Sequence, residues 1–326
     1  MSKIRFGILS TANIAQKALI PAIERAENAE VVAIASGSGK AKEVAEKFHI
    51  EKAYESYEEL LDDPNVDAVY IPLPNHLHKE WVVKAAEKGK HVLCEKPAAL
   101  DVKETEELVS ICRENNVKFM EAFMYQFHSQ HNRVKEIIAS GEIGEVQMME
   151  ATFSFFMNDR ENNIRMDSTK GGGSIYDIGC YCIHSIRNIL QTEPEHVYVE
   201  ADIDPKFNVD EAAYGIFTMK NGVRAMFNCS FNSPMRNEYI VKGTKGFITV
   251  PRAYRPDNHG HEGLIIVDKG NEVREEKVVS DQYKMEVEHF SQVILNDTEP
   301  SYTGEDTIQN MNVIDACYES VKANSK

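Results

Sequence analysis

Two periodicities alternate over roughly the first 120 residues, and this alternation constrains the fold more than any other feature. Short β-branched or apolar runs at 4–9, 31–36, 68–71, 91–94 and 118–121 are separated by stretches with helical spacing and legible ends. Ser56 followed by Glu59, and Asp101 followed by Glu104, form capping boxes. Asn75 is placed to cap a helix through Trp81, Val82, Ala85 and Ala86, which Gly89 stops. Strands separated by helices of this length predict right-handed βαβ units and a parallel sheet, an α/β Rossmann-type domain over 1–122.

Past residue 122 the texture changes. A long strand is predicted over 145–156 and an amphipathic helix over 174–190. Segments 214–219 and 223–227 flank Lys220-Asn221-Gly222, a hairpin signal. Further strands at 239–241, 247–250 and 264–267 precede two helices near 283–295 and 304–323. The expectation is a second α+β domain over 123–326 on a mostly antiparallel sheet, with the last helix packing back on the first domain. A length of 326 residues suits two domains.

Charge and composition exclude several functions. Lys and Arg number 36 against 52 Asp and Glu, a formal net charge of −16 that opposes a phosphate backbone and argues against nucleic-acid binding. No apolar run approaches the roughly 18 residues of a membrane span. Lys3 and Arg5 before the apolar stretch 6–15 resemble a leader. However, Ser10, Thr11 and Asn13 interrupt the stretch and no cleavage site follows, so it reads as the first strand and turn. The 6 cysteines fit no disulfide framework or metal spacing, which points to reduced thiols in a cytoplasm. His76/His78, His128/His131 and His259/His261 lack matching carboxylates or thiols, so no metal is expected.

Between the first strand and first helix stands Ser10-Thr11-Ala12-Asn13-Ile14-Ala15. A dinucleotide needs small residues here, so that backbone N–H groups and a helix N-terminus can approach the pyrophosphate. The usual G-x-G-x-x-G/A appears as Ser10-x-Ala12-x-x-Ala15, a pattern that a plain strand-to-helix turn would share. The second strand ends in Ala35-Ser36-Gly37-Ser38-Gly39-Lys40, with no carboxylate for a ribose 2′-hydroxyl. Ser36, Ser38 and Lys40 suit a 2′-phosphate instead, so NADP is favoured over NAD; Lys42 reads as a solvated loop residue.

Three further motifs carry a resemblance: Pro72-Leu73-Pro74-Asn75-x-x-His78, Cys94-Glu95-Lys96-Pro97, and Gly171-Gly172-Gly173-Ser174-Ile175-Tyr176-Asp177-Ile178-Gly179-Cys180-Tyr181. With Met120-Glu121-Ala122-Phe123-Met124-Tyr125 they make the chain resemble the glucose–fructose oxidoreductase/inositol dehydrogenase (Gfo/Idh/MocA) family over essentially its whole length. It is most similar to the dimeric dihydrodiol dehydrogenase and NADP-dependent xylose dehydrogenase branch. The resemblance implies a Rossmann domain, an open-faced sheet domain, a nicotinamide cofactor and a sugar-like or cyclic-diol substrate. It implies cofactor contacts from Ser10, Thr11, Ala12, Asn13, Ile14, Ser36, Ser38, Lys40, Leu73, Asn75, His78, Glu95 and Lys96. Substrate contacts are expected from His184, Met124 and Arg165. Two departures stand out: Ser10 and Ala12 replace glycines, and Gln126 stands where the dihydrodiol dehydrogenase branch has a basic residue.

Hydride transfer from a secondary alcohol needs a base for the hydroxyl proton and a cation for the developing alkoxide. Lys96 and Tyr181 supply both, because a nearby ammonium favours phenolate over a phenol whose free pKa is about 10. Asp177 precedes Tyr181 by four residues, which places both on one helix face. Taken singly, Lys96 also reads as a turn lysine, Tyr181 as a core aromatic and His184 as a satisfied helix histidine. A non-catalytic dinucleotide sensor of the same fold is the alternative function. Strands with apolar residues on both faces, such as 152–157 and Ile216-Phe217, predict a homodimer or dimer-based oligomer through the open sheet, unless loop 251–263 covers it.

Overall fold

The fold is described from a computed structural model over residues 2–324. Packing divides the chain into two units, Met1–Met124 with Tyr283–Gln309, and Tyr125–Gln282 with Asn310–Lys326. A single boundary near 122 therefore does not describe the packing, because the segment 283–309 returns to the first unit.

In the first unit, strands β1 (Ile4–Leu9), β2 (Ala29–Ala35), β3 (Lys52–Tyr54), β4 (Ala68–Ile71), β5 (His91–Glu95) and β6 (Phe119–Ala122) form a parallel sheet in the order β3-β2-β1-β4-β5-β6. The order reverses between β1 and β4, and in such sheets the crevice beyond the carboxyl ends at that point is where ligands bind. The strand β3 carries too little apolar sequence to announce itself. It is held at the edge by Asp63, which accepts from Lys52 Nζ and Tyr54 Oη, each at 2.9 Å.

The connecting helices are α1 (Ile20–Arg25, after a π turn over Ala15–Leu19), α2 (Ala41–Phe48), α3 (Tyr57–Leu61), α4 (Asn75–Glu87) and α5 (Val102–Glu114). Both expected caps form: Ser56 Oγ accepts Glu59 N–H at 3.2 Å and Asp101 Oδ1 accepts Glu104 N–H at 2.7 Å. Asn75 is not a cap. The Pro74 carbonyl takes Leu77 N–H, so Pro74 fills that position and Asn75 becomes the first helical residue. Leu9, Val69, Ile71, Val82, Val92 and Leu108 are among the buried side chains that pack sheet against helices.

In the second unit, strands β7 (Val146–Phe156), β8 (Pro194–Ile203), β9 (Asp210–Met219), β10 (Arg224–Ser230), β11 (Asn232–Gly243), β12 (Phe247–Val250), β13 (Glu262–Asp268) and β14 (Val273–Val279) form a sheet ordered β14-β13-β12-β11-β7-β10-β9-β8. Among the described residues only the β7–β10 pair is parallel. The hairpin at 220–222 closes as expected, with Gly222 at φ +85° and its N–H on the Met219 carbonyl at 2.8 Å. Helices α6 (Gln130–Ala139) and α7 (Cys180–Leu190) belong to this unit, and α8 (Gln282–Asn296) and α9 (Gly304–Asn324) close the chain.

Alternation along these strands separates two faces. Phe153, Phe217, Phe227 and Tyr239 are buried on the face that meets α6 and α7. On the opposite face, Tyr198, Ile216 and Met226 stand in register across β8, β9 and β10 and are exposed, Ile216 by 48 %. Within the 251–263 connection, Tyr254 is buried against Phe153 and Tyr181 on the helix-bearing face. Among the described residues no helix is long and apolar enough to cross a membrane.

Candidate active site

In the first unit the turn after β1 is small and internally braced. Ser10 lies at φ +141°, backbone territory that glycine favours, and its Oγ accepts Ala12 N–H at 3.1 Å. Thr11 Oγ1 lies 3.4 Å from Ser36 Oγ, which lies 2.8 Å from Ser38 Oγ. Three hydroxyls from the ends of β1 and β2 thus form one cluster, with exposed Lys40 next along the chain and no carboxylate among them. Asn13 and Ile14 open the helix, whose first N–H groups have no intrahelical partner. A dinucleotide fits this donor set: small side chains and a helix N-terminus for the pyrophosphate, hydroxyls and a lysine for a phosphorylated ribose.

Lys96 follows β5 directly and is half-buried. The backbone of its turn is gripped at three successive residues. Glu95 Oε2 accepts Lys96 N–H at 3.3 Å, the His78 ring contacts the Pro97 carbonyl at 2.8 Å, and Glu121 Oε1 accepts Ala98 N–H at 2.8 Å. The other oxygen of Glu95 accepts the Tyr70 hydroxyl at 2.6 Å. His78, expected at the cofactor, is instead fully buried. Its second nitrogen lies 2.7 Å from the Leu73 carbonyl, and the neutral ring can donate its single N–H to only one of the two carbonyls. Burial lowers its pKa to about 4, and the two carbonyls only partly oppose this. The Leu73 side chain is buried, Asn75 is partly exposed at the start of α4, and Met124 is buried at the end of this unit's first segment.

In the second unit the glycine run shapes the approach to α7. The carbonyls of Arg165 and Asp167 accept the N–H groups of Gly173 and Gly172, each at 2.9 Å. A Cβ on Gly172 would stand 2.7 Å from both carbonyls. Gly173, at φ +120°, lies against Asp210 Oδ1, which a Cβ there would overlap. Asp210 accepts Ser174 Oγ–H at 2.8 Å, Ile175 N–H at 2.7 Å and Tyr318 Oη–H at 2.9 Å, so it closes the N-terminus of the helix. Burial raises its pKa to about 6 against those three donors.

The helix opens with a π turn over Ile175–Gly179, in which Cys180 N–H reaches the Ile175 carbonyl, so the spacing from Asp177 to Tyr181 is not purely α-helical. Asp177 Oδ2 lies 2.5 Å from Arg165 Nε, which brings two expected site residues together as an ion pair, and Asp177 raises the Arg165 pKa. Tyr181 is 6 % exposed, with its ring against Tyr125, Phe153 and Tyr254. His184 is 2 % exposed, with Nδ1 2.5 Å from the Tyr125 hydroxyl. Burial lowers the His184 pKa well below the ordinary range, and its Nδ1 is engaged by the Tyr125 hydroxyl.

Three residues that hold these positions escape sequence reasoning: Glu121, Asp210 and Tyr254. Glu121 sits within the motif Met120–Tyr125, yet a lone acid in an apolar strand gives no sign of its partners. Among the described residues no three His, Cys, Asp or Glu side chains converge as metal ligands.

Comparison with known proteins follows the same division. Residues 4–123 match the model of an oxidoreductase family with an NAD-binding Rossmann fold, and residues 131–249 match the GFO/IDH/MocA C-terminal domain. The chain is 39% identical to D-xylose 1-dehydrogenase (NADP(+)) 2 of Haloferax volcanii, covering 97% of each chain. It is 32% identical to the trans-1,2-dihydrobenzene-1,2-diol dehydrogenase of Mus musculus, over 78% of this chain and 76% of that one. A 3-ketoreductase from Actinomadura kijaniata, solved with NADP and TDP-benzene, superposes with a TM-score of 0.93 at 30% identity over 98% of both chains. With both parts of the chain matched by these family models and the Haloferax volcanii relative aligned over 97% of each chain, the chain belongs to the GFO/IDH/MocA oxidoreductase family.

Proposed function

We propose that this protein is an NADP-dependent oxidoreductase that moves a hydride between the nicotinamide and a secondary alcohol or carbonyl of a sugar-like or cyclic-diol substrate. The observation that carries the reading is the Lys96 turn, a cation held by three backbone contacts at the carboxyl end of the parallel sheet. Relatives named as an NADP(+)-dependent D-xylose dehydrogenase and a trans-dihydrobenzenediol dehydrogenase support the substrate class. The bound nicotinamide supplies the two-electron hydride acceptor or donor.

The chain's own residues bind, orient and move the proton. Ser36, Ser38 and Lys40 take the ribose phosphate, and the turn from Ser10 to Ile14 takes the pyrophosphate. In the oxidative direction Tyr181 Oη accepts the substrate hydroxyl proton, and the Lys96 ammonium stabilises the charge developing on the substrate oxygen. Asp177, braced by Arg165, orients substrate hydroxyls. Turnover of NADP with a panel of aldoses, inositols and dihydrodiols tests the reading; tight NADP binding with no turnover across the panel would refute it in favour of a sensor.

The same reading extends to assembly and place. The exposed row Tyr198, Ile216 and Met226 suits burial against a second copy of this chain, and two-fold pairing is the commonest closed arrangement. All six cysteines are buried free thiols, which supports a reducing cytoplasm.

A further inference from the structure

We propose that Glu121, clamped by Tyr302, is a positioning residue for Lys96: it holds the turn that carries the lysine and thereby sets the rate of the hydride-transfer step. The proposal rests on the catalytic reading of Lys96 above. Glu121 lies one strand away, beside Cys94 in the β5–β6 register, so its side chain reaches the turn immediately past the end of β5.

Glu121 is 2 % exposed and collects its donors from distant segments. Oε1 accepts Ala98 N–H at 2.8 Å, Oε2 accepts the Tyr302 hydroxyl at 3.1 Å, and the Thr307 hydroxyl is a further donor. Tyr302 is itself seated edge-on against Phe123, with ring centroids 5.8 Å apart. The returning segment Tyr283–Gln309 therefore reaches the lysine turn through one carboxyl group.

A carboxylate is a costly residue at such a site. Burial pushes its pKa up to about 7, while the three donors and the Lys96 charge pull it down. An apolar residue would fill the space without that cost, but it would leave Ala98 N–H without its acceptor. The three grips on the turn divide the work. Glu95 is adjacent in sequence, His78 lies against a carbonyl, and Glu121 ties the turn to both β6 and the C-terminal segment. The Lys96 ammonium is useful only where the substrate oxygen will be, and an error of about 1 Å in placement costs roughly a hundredfold in rate.

The test compares Glu121→Ala, Glu121→Gln, Tyr302→Phe and Lys96→Met in the full chain. It measures kcat on the substrate panel, NADP affinity by titration, and amide exchange over residues 95–100. Glu121→Ala is expected to lower kcat roughly 10- to 100-fold with NADP affinity within about threefold of wild type, and to speed exchange over 95–100. Glu121→Gln keeps an oxygen for Ala98 N–H and is expected to restore most of the rate; Tyr302→Phe should fall between them. Unchanged exchange in Glu121→Ala would overturn the anchor whatever Lys96 does. Faster exchange with unchanged kcat would overturn its role in the reaction. Full turnover by Lys96→Met would instead sink the catalytic reading of Lys96, with the exchange data still judging the anchor. If Glu121→Ala does not fold, Glu121→Asp withdraws the carboxylate by one methylene and carries the same expectations.

Discussion

Gly173→Ala should destabilise the second unit far more than an ordinary glycine replacement. Two costs arise at the same residue. At φ +120° an alanine enters backbone space that L side chains rarely occupy, which costs about 1–3 kcal/mol. The added Cβ also overlaps Asp210 Oδ1, and displacing that buried carboxylate strands Ile175 N–H and the Ser174 hydroxyl. A buried donor without its partner costs about 1–3 kcal/mol. With two stranded donors the combined loss is about 3–9 kcal/mol, and at roughly 2–4 °C per kcal/mol for a unit of this size the midpoint should fall by about 6–36 °C. Gly270→Ala is the internal control, because Gly270 also has positive φ (+84°) but nothing within 4 Å of its hypothetical Cβ. It should lose only the conformational part, about 1–2 kcal/mol. Calorimetry on both variants, with urea melts, measures the difference. Equal midpoints for the two variants would refute the claim that Gly173 is required by close approach to Asp210.

Four other outcomes are expected. Lys96→Met and Tyr181→Phe should each cut kcat by about 100-fold or more while leaving NADP titration curves nearly unchanged, since both are assigned to charge and proton movement; near-normal turnover in Tyr181→Phe would remove it from the chemistry. NADP should bind at least about tenfold tighter than NAD, the worth of one charge-assisted contact from Ser36, Ser38 or Lys40, and equal affinities would show that this loop does not read the ribose. His131, buried with its ring nitrogens near the Tyr239 hydroxyl and the Ala253 carbonyl, has its pKa lowered to about 3 by burial. Its contribution is present above about pH 6.5, where the unfolded ring is also neutral, and is lost as pH falls toward 3. His131→Asn should therefore flatten the acid limb of stability by up to about 1.4 kcal/mol per pH unit, and parallel limbs for the two proteins would contradict this. Sedimentation at micromolar concentration should give a dimer, and a single species near the 36.9 kDa chain mass would rule it out.

Much of the architecture is legible in the chain because it is written in local periodicity. Strand β4 occupies 68–71 as its apolar run indicates, the caps at Ser56 and Asp101 form, and Lys220-Asn221-Gly222 turns the hairpin. Each of these depends on residues a few positions apart, whose backbone states are coupled directly. The acid-free end of β2 and the glycine run before α7 are likewise local, and they point to a nucleotide and to a closely approached helix.

Tertiary structure decided what the buried polar groups do. His78 lies in a motif expected at the cofactor, yet its ring is buried between the Pro97 and Leu73 carbonyls. Asp177 is expected on one helix face with Tyr181, yet a residue 12 positions earlier, Arg165, forms an ion pair with it, and a π turn changes the spacing between Asp177 and Tyr181. Asp210 lies 36 residues from Ser174, and Glu121 lies 181 residues from Tyr302. A carboxylate in a strand carries no local mark of whether it will meet water, a cation or an amide. Burial makes the partner obligatory, but only the folded chain determines which distant segment supplies it.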